Sequence, residues 1–184
     1  WSLPTGFPTP KEFADNPLTA AKVELGRHLF YDLRMSVNQT TACATCHLPE
    51  RAFTDGRKTA IGATGEAHPR NAMSLTNVVY NATQNWANPV VTTLHAQGLI
   101  PMFGEFPLEL GWSDHEAEIL ARFRNDAQYQ SLFATAYPGE TDPVNADRVV
   151  KAIAAFESIL ISGNSPYDQA TFQGNRDAMS AAAR

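Results

Sequence analysis

The sequence predicts an all-α domain with long irregular loops, and three observations carry this. Apolar residues recur at helical spacing in three capped segments. Stretches alternating with the period of a strand are nearly absent. Residues 36–112 are rich in Asn, Thr, Gly and Pro and keep no sustained period. The 184 residues are 43% hydrophobic and 18% charged, the composition of a globular domain rather than a disordered one. A chain of this length buries roughly 70% of its unfolded surface and needs no disulfide staple.

Pro4, Pro8, Pro10 and Pro17 make residues 1–17 read as an extended arm laid over the surface. Asn16 as N-cap and Pro17 at the first helical position predict a helix over 17–31, with Leu18, Ala21, Leu25 and Leu29 at helical spacing. The irregular middle follows, with one short helical turn at Cys43–His47. A loop that long in a compact domain needs an organiser other than a side-chain core. Ser113 and Glu116 form a capping-box pattern ahead of Ala117, Leu120 and Phe123. Asn145 or Asp147 opens the last clear helix, with Val149, Ile153, Phe156 and Leu160 on one face and Gly163 closing it.

Composition also excludes classes of function. The formal net charge of −5 offers no basic face to nucleic acid. The longest apolar stretch, Val149 to Ile161, is broken by Lys151 and Glu157, so no transmembrane segment is expected. Trp1 in place of an initiator Met suits a chain whose leader has been removed. Ala181-Ala182-Ala183-Arg184 reads as the interior of a helix, so a fragment of a longer protein is expected.

Cys43-Ala44-Thr45-Cys46-His47 uses both cysteines of the chain and is the one strong chemical signal. C-x-x-C-H is the attachment pattern of c-type haem. Two thiols three residues apart share one side of a helical turn and can each add to a vinyl group, while the next residue offers a neutral imidazole to iron. A redox disulfide expects a strand before the motif and a helix after it. A zinc site expects a second cysteine pair. Neither is present, and a plain structural disulfide is the remaining alternative. Covalent haem attachment takes place outside the cytoplasmic membrane, so a periplasmic or otherwise exported protein is expected. His28, His68, His95 and His115 are further possible iron ligands. Met73 and Met102 are possible sulfur ligands, which would make the chain a mono-haem electron carrier with His/Met ligation. Trp86 reads first as a core aromatic, and Gln97, Glu105 and Glu109 surround the turn at Pro101–Gly104.

Several segments in order resemble the bacterial di-haem cytochrome c peroxidase and MauG-like family. They are Leu3-Pro4-x-Gly6-Phe7-Pro8, Asn16-Pro17, Lys22-x-x-Leu25-Gly26-Arg27-x-Leu29-Phe30-Tyr31-Asp32, and Arg34-x-Ser36 leading into Cys43–His47. Ala52–Gly56, Pro69-Arg70-Asn71, Trp86, Gln97, Pro107–Gly111 and Ser165–Asp168 follow downstream. The resemblance implies a cytochrome c-like helical haem domain over 18–168, the peroxidatic half of a two-domain protein. Residues 169–184 would then be a linker towards a second haem domain. His47 is implied as the proximal iron ligand, Gln97 and Glu109 as groups that handle hydrogen peroxide, Trp86 as an electron relay between haems, and Asn71 as a calcium ligand. The spacing from Gln97 to Glu109 leaves Glu105 as a rival carboxylate. In the loop 61–68, Ala63 falls where peroxidases of the family carry a removable histidine, and His68 lies five residues on. An open iron is therefore expected, as in MauG-like enzymes that oxidise a side chain of a partner protein, tryptophan being one example. A redox protein is the other expected partner.

Overall fold

The computed structural model describes residues 1–184. Its helices are α1 (Ala20–Tyr31), α2 (Cys43–Cys46), α3 (Leu94–Phe103), α4 (Glu116–Arg124), α5 (Ala127–Ala136), α6 (Ala146–Ser158) and α7 (Pro166–Phe172), with three 3₁₀ turns between them and a fourth after α7. Extended pairing is limited to single bridges, Leu48 with Thr54, Ile61 with Ala67 and Glu105 with Leu108. The all-α expectation holds.

The helix boundaries differ from the sequence reading for local reasons. Helix α1 starts at Ala20, where the Thr19 hydroxyl accepts from the Lys22 N–H, and not at Pro17. Asn16 is occupied elsewhere: its amide donates to the Lys151 carbonyl at 2.9 Å, and its oxygen accepts from the Lys22 ammonium. It pins the arm to α6 instead of capping α1. Ser113 likewise is no cap, because its hydroxyl donates to the Phe103 carbonyl at 2.8 Å and α4 opens after His115. Asn145, not Asp147, caps α6, which ends at Ser158, before Gly163. Helices α3 and α5 went unread. Helix α3 lies inside the supposedly irregular span and contains Pro101, and α5 is set by Asp126, whose carboxylate accepts from the Gln128 and Tyr129 N–H groups. Residues 180–184 form turns rather than a helix.

The core is organised by the crossing of α1 and α6. A Cβ at residue 26 would stand 1.9 Å from the Ala152 carbonyl oxygen, so only glycine lets these backbones meet. Leu25, Leu29 and Phe30 from α1 are then buried with Val149, Ile153 and Phe156 from α6. Helix α3 closes on α6 through Gly98, whose Cα faces Val150. Trp112 is fully buried and donates to the Met35 carbonyl at 2.7 Å. Arg122 donates to the carbonyls of Arg34, Ser36 and Val37, tying α4 to the segment that leads into α2. The arm lies on the surface, held where the Tyr80 hydroxyl donates to the Pro8 carbonyl and where Pro4 packs on Gly163.

Gly26→Ala must separate α1 from α6. A loss of about 1–3 kcal/mol is expected, the usual cost of overpacking a close-packed core. Denaturant unfolding measures it as a lowered midpoint with unchanged slope.

Candidate active site

The motif is built by local hydrogen bonds. The Ser36 hydroxyl accepts from the Thr40 and Thr41 N–H groups at 3.1 and 2.9 Å and bends the chain into α2. Thr45 then accepts from the Ala42 N–H at 3.0 Å. Cys43 and Cys46 are both free thiols, and burial pushes both above the ordinary thiol range. They are therefore neutral. His47 follows with its Nδ1 2.8 Å from the Phe53 carbonyl oxygen. A carbonyl only accepts, so Nδ1 carries the proton and the lone pair sits on Nε2. Burial lowers the imidazole pKa and keeps the ring neutral, as a metal ligand requires.

The Phe53 carbonyl is aimed by an uncommon backbone. Ala52 and Phe53 both have left-handed φ, 54° and 58°. For a residue as bulky as Phe this is held only by its surroundings. Here the Ala52 carbonyl accepts from the hydroxyls of Ser74 and Thr76, and Thr54 donates to the Ala72 carbonyl at 2.7 Å. The Phe30 ring lies 6.4 Å from the His47 ring and 6.3 Å from Phe53, so the α1–α6 core backs the same turn.

Two adjoining cavities open on the motif. The larger, about 310 Å³, is lined by Cys46, His47, His68, Trp86, Gln97 and Glu109 among others. The smaller, about 50 Å³, is lined by Cys43, Cys46, His47, Gln97, Met102, Glu109 and Glu157 among others. A separate cavity of about 380 Å³ under the arm contains His95 but neither cysteine. Two neutral thiols, an oriented imidazole and a slot whose walls are about half apolar suit haem c.

The structure brings Gln97 and Glu109 to the motif and leaves Glu105 out. Glu105 is exposed on the hairpin after α3, bridged to Leu108. The Glu109 side chain is 31% exposed and lines both cavities, and its desolvation lifts the carboxyl to about 7. Trp86 is no core aromatic: it is 55% exposed at the cavity rim, and its indole N–H donates to the Asn71 carbonyl at 3.3 Å. The Asn71 amide donates to the Ala72 carbonyl, and no cluster of three acidic, His or Cys side chains accompanies it. Of the other histidines only His68 lines the larger cavity. His28 pairs with Glu24, His95 with Thr93 and Asp15, and His115 with Glu118. Met73 lines the larger cavity and Met102 the smaller.

Two contributors were missed by sequence reasoning. The Phe53 carbonyl left no signal, since a backbone acceptor is invisible in residue type. Glu157 did leave one, as the lone carboxylate in an apolar helical run. It is 7% exposed, its carboxyl makes no hydrogen bond to another side chain or to backbone, and burial pushes that carboxyl to about 8.

These features define a c-type haem domain with a desolvated carboxyl beside the haem slot. A family model described as di-haem cytochrome c peroxidase matches residues 20–177. The chain belongs to the di-haem cytochrome c peroxidase family. It is 34% identical over 165 residues to the cytochrome c peroxidase Ccp of Escherichia coli K12, covering 90% of this chain and 34% of that protein. It is 33% identical to the methylamine utilization protein MauG of Methylorubrum extorquens, covering 90% of this chain and 44% of that protein. A solved MauG-like protein associated with microbial copper homeostasis shares 46% identity at a TM-score of 0.91, over 95% of this chain and 50% of that one. The diheme peroxidase BthA of Burkholderia thailandensis, at 23% identity and TM-score 0.67, shares the fold. The chain spans a third to a half of the length of these relatives. A mono-haem electron carrier is not favoured by this kinship.

A carboxyl that resists ionisation in the folded protein contributes its stability in full below its unfolded pKa and loses it as pH rises through the folded one. For Glu157 that window runs from near 4.5 to about 8. Glu157→Gln is therefore expected to flatten the fall in unfolding free energy across that window, by up to about 5 kcal/mol. Denaturant midpoints measured along the pH series check it.

Proposed function

We propose that this chain is the peroxide-reacting half of an exported, MauG-like di-haem oxidoreductase. Cys43 and Cys46 would hold haem c and His47 Nε2 would ligate its iron; when bound, the haem would supply the iron at which hydrogen peroxide is reduced. The observation that carries this reading is that His47, Gln97 and Glu109 line one slot beside two free thiols. Cleaving the peroxide O–O bond unevenly needs a group that takes a proton from one oxygen and returns it to the leaving one. A carboxyl poised at about 7 does both near neutral pH. The Gln97 amide holds the peroxide without competing for that proton.

The rest of the proposal concerns what lies beyond this chain. Residues 169–184 lead towards a second haem domain, although α7 runs on to Phe172, past the assigned start of that linker. Trp86 relays electrons at the interface, and Asn71 joins a calcium site there, for which the side-chain oxygen is a suitable hard ligand. The substrate is a side chain of a partner protein, tryptophan being the candidate, or the electron source is a redox protein. Likeness to a MauG-like protein associated with copper homeostasis supports a partner in that setting. Export follows from haem c attachment, and no helix is long and apolar enough to cross a membrane.

The full-length holoprotein should keep its pigment through acid–acetone extraction, and Cys43→Ser or Cys46→Ser should prevent assembly. Glu109→Gln is expected to slow the reaction with peroxide about 10²–10⁴-fold, the usual worth of a positioned acid–base group. Glu105→Gln should stay within about twofold, since that side chain faces solvent. Stopped-flow absorbance gives both rates, and the reverse pattern would assign the chemistry to Glu105. With alanine at position 63 and Ala63 lining neither cavity, the resting ferric protein should be high-spin by electron paramagnetic resonance and bind cyanide without prior reduction.

A further inference from the structure

We infer that His68 is the proton partner of Glu109: it passes a proton between that carboxyl and solvent and is not an iron ligand. The inference rests on the reading of Glu109 given above. His68 Nε2 lies 3.9 Å from Glu109 Oε2, and both side chains line the larger cavity. That nitrogen is buried and has no hydrogen-bond partner, while the ring as a whole keeps 16% exposure. One edge thus faces the carboxyl and part of the ring reaches solvent. Catalytic contacts are commonly this long before substrate enters, and one water or a small rotation spans the gap.

The loop that carries His68 explains why it stays there. Ile61 bridges Ala67, the His68 N–H donates to the Ala60 carbonyl at 2.8 Å, and the Gly62 N–H donates to Glu66 at 3.0 Å. The Ala63 N–H donates to the carbonyl of Glu109 itself at 3.0 Å, and the Ala63 carbonyl accepts from Asn38 at 2.8 Å. Gly62 makes the contact possible, because a Cβ there would stand 2.2 Å from the Leu108 carbonyl oxygen and 3.2 Å from His68 Nε2. His68 and Glu109 are therefore parts of one body. A histidine that binds iron and must leave before peroxide enters needs a loop free to swing, and this loop is bonded to the segment it would have to leave.

The step balances as a proton transfer alone. The protonated carboxyl gives its proton to neutral imidazole Nε2, forming carboxylate and imidazolium, and the imidazolium then releases a proton to water. The reverse reloads the carboxyl. No electron moves.

The test uses the full-length di-haem protein carrying His68→Ala, His68→Gln, Glu109→Gln, or His68→Ala with Glu109→Gln. Two readouts are taken by stopped flow: the reaction with peroxide, and association of cyanide with the ferric protein, which requires hydrogen cyanide to lose its proton but involves no turnover. Both His68 variants are expected to slow both readouts by about 10–100-fold. The double variant should be no slower than Glu109→Gln, since residues acting as a unit are not additive. His68→Gln, which keeps a hydrogen-bond donor but cannot take up a proton, should be as slow as His68→Ala, which a purely structural role would not produce. Resting spin state should be the same in all of them. Rates within twofold in both His68 variants, or multiplicative losses in the double variant, would overturn the inference. So would a low-spin resting signal that becomes high-spin in His68→Ala, which would make His68 an iron ligand. A wild-type rate in Glu109→Gln would instead overturn the underlying catalytic reading.

Discussion

At Gly26 the backbone of α1 meets that of α6, and the placement of the active site follows from this contact. The missing side chain sets how close the helices come, and the approach puts Phe30 in edge contact with Phe156, ring centroids 5.1 Å apart. Phe30 in turn reaches both His47 and Phe53. The His47 imidazole is therefore seated against the Phe30 side of the α1–α6 core. Its orientation rests on a backbone carbonyl whose own direction is fixed by two left-handed residues and a pair of hydroxyl donors. Backbone strain of this kind costs on the order of 1–3 kcal/mol per residue. It persists here because hydrogen bonds from three sides leave the turn no alternative.

Desolvation, rather than charge pairing, sets the chemistry of the slot. Burial is the cause that lifts Glu109 and Glu157, and it is the leading cause for both cysteines and for the lowered imidazole pKa. A strong cationic partner would have held Glu109 ionised and useless as a proton donor. Arg70 lines the larger cavity but does not charge-pair Glu109, whereas Arg34 pairs with Asp32 and Asp126, and Arg148 with Glu140 and Asp147. Those pairs fasten helices and stay out of the slot.

Legibility of the fold and site divides along physical lines. Helix α6 was readable because its apolar face repeats over three turns and Asn145 caps it. Helix α3 was not, because Pro101 and Gly98 lower its propensity and its stability comes from packing on α6, which no local pattern reveals. Asn16 and Ser113 have the residue types of caps, but their side chains found tertiary partners instead. At the site, the haem motif was legible because covalent chemistry fixes its spacing. Gln97 and Glu109 were chosen through kinship, and the structure supplies the physical distinction from Glu105: one carboxyl points into a slot and the other into water. The Phe53 carbonyl lay beyond any reading of side-chain types.

The distribution of unsatisfied groups separates the two kinds of wall in the slot. The His47 ring is held through Nδ1 by the Phe53 carbonyl, in a turn that the Ser74 and Thr76 hydroxyls fasten at Ala52. Of the buried side-chain atoms without a partner, His68 Nε2 and Gln84 Oε1 belong to residues lining the larger cavity, the third being Asp55 Oδ2. A buried polar atom left unpaired costs about 1–3 kcal/mol, so such atoms are retained only where something other than packing requires them. A wall that must hold a ligand in one position is best built from completed bonds, since each completed bond removes a direction of motion. A wall that must exchange protons needs the opposite, an acceptor with no partner in the resting protein.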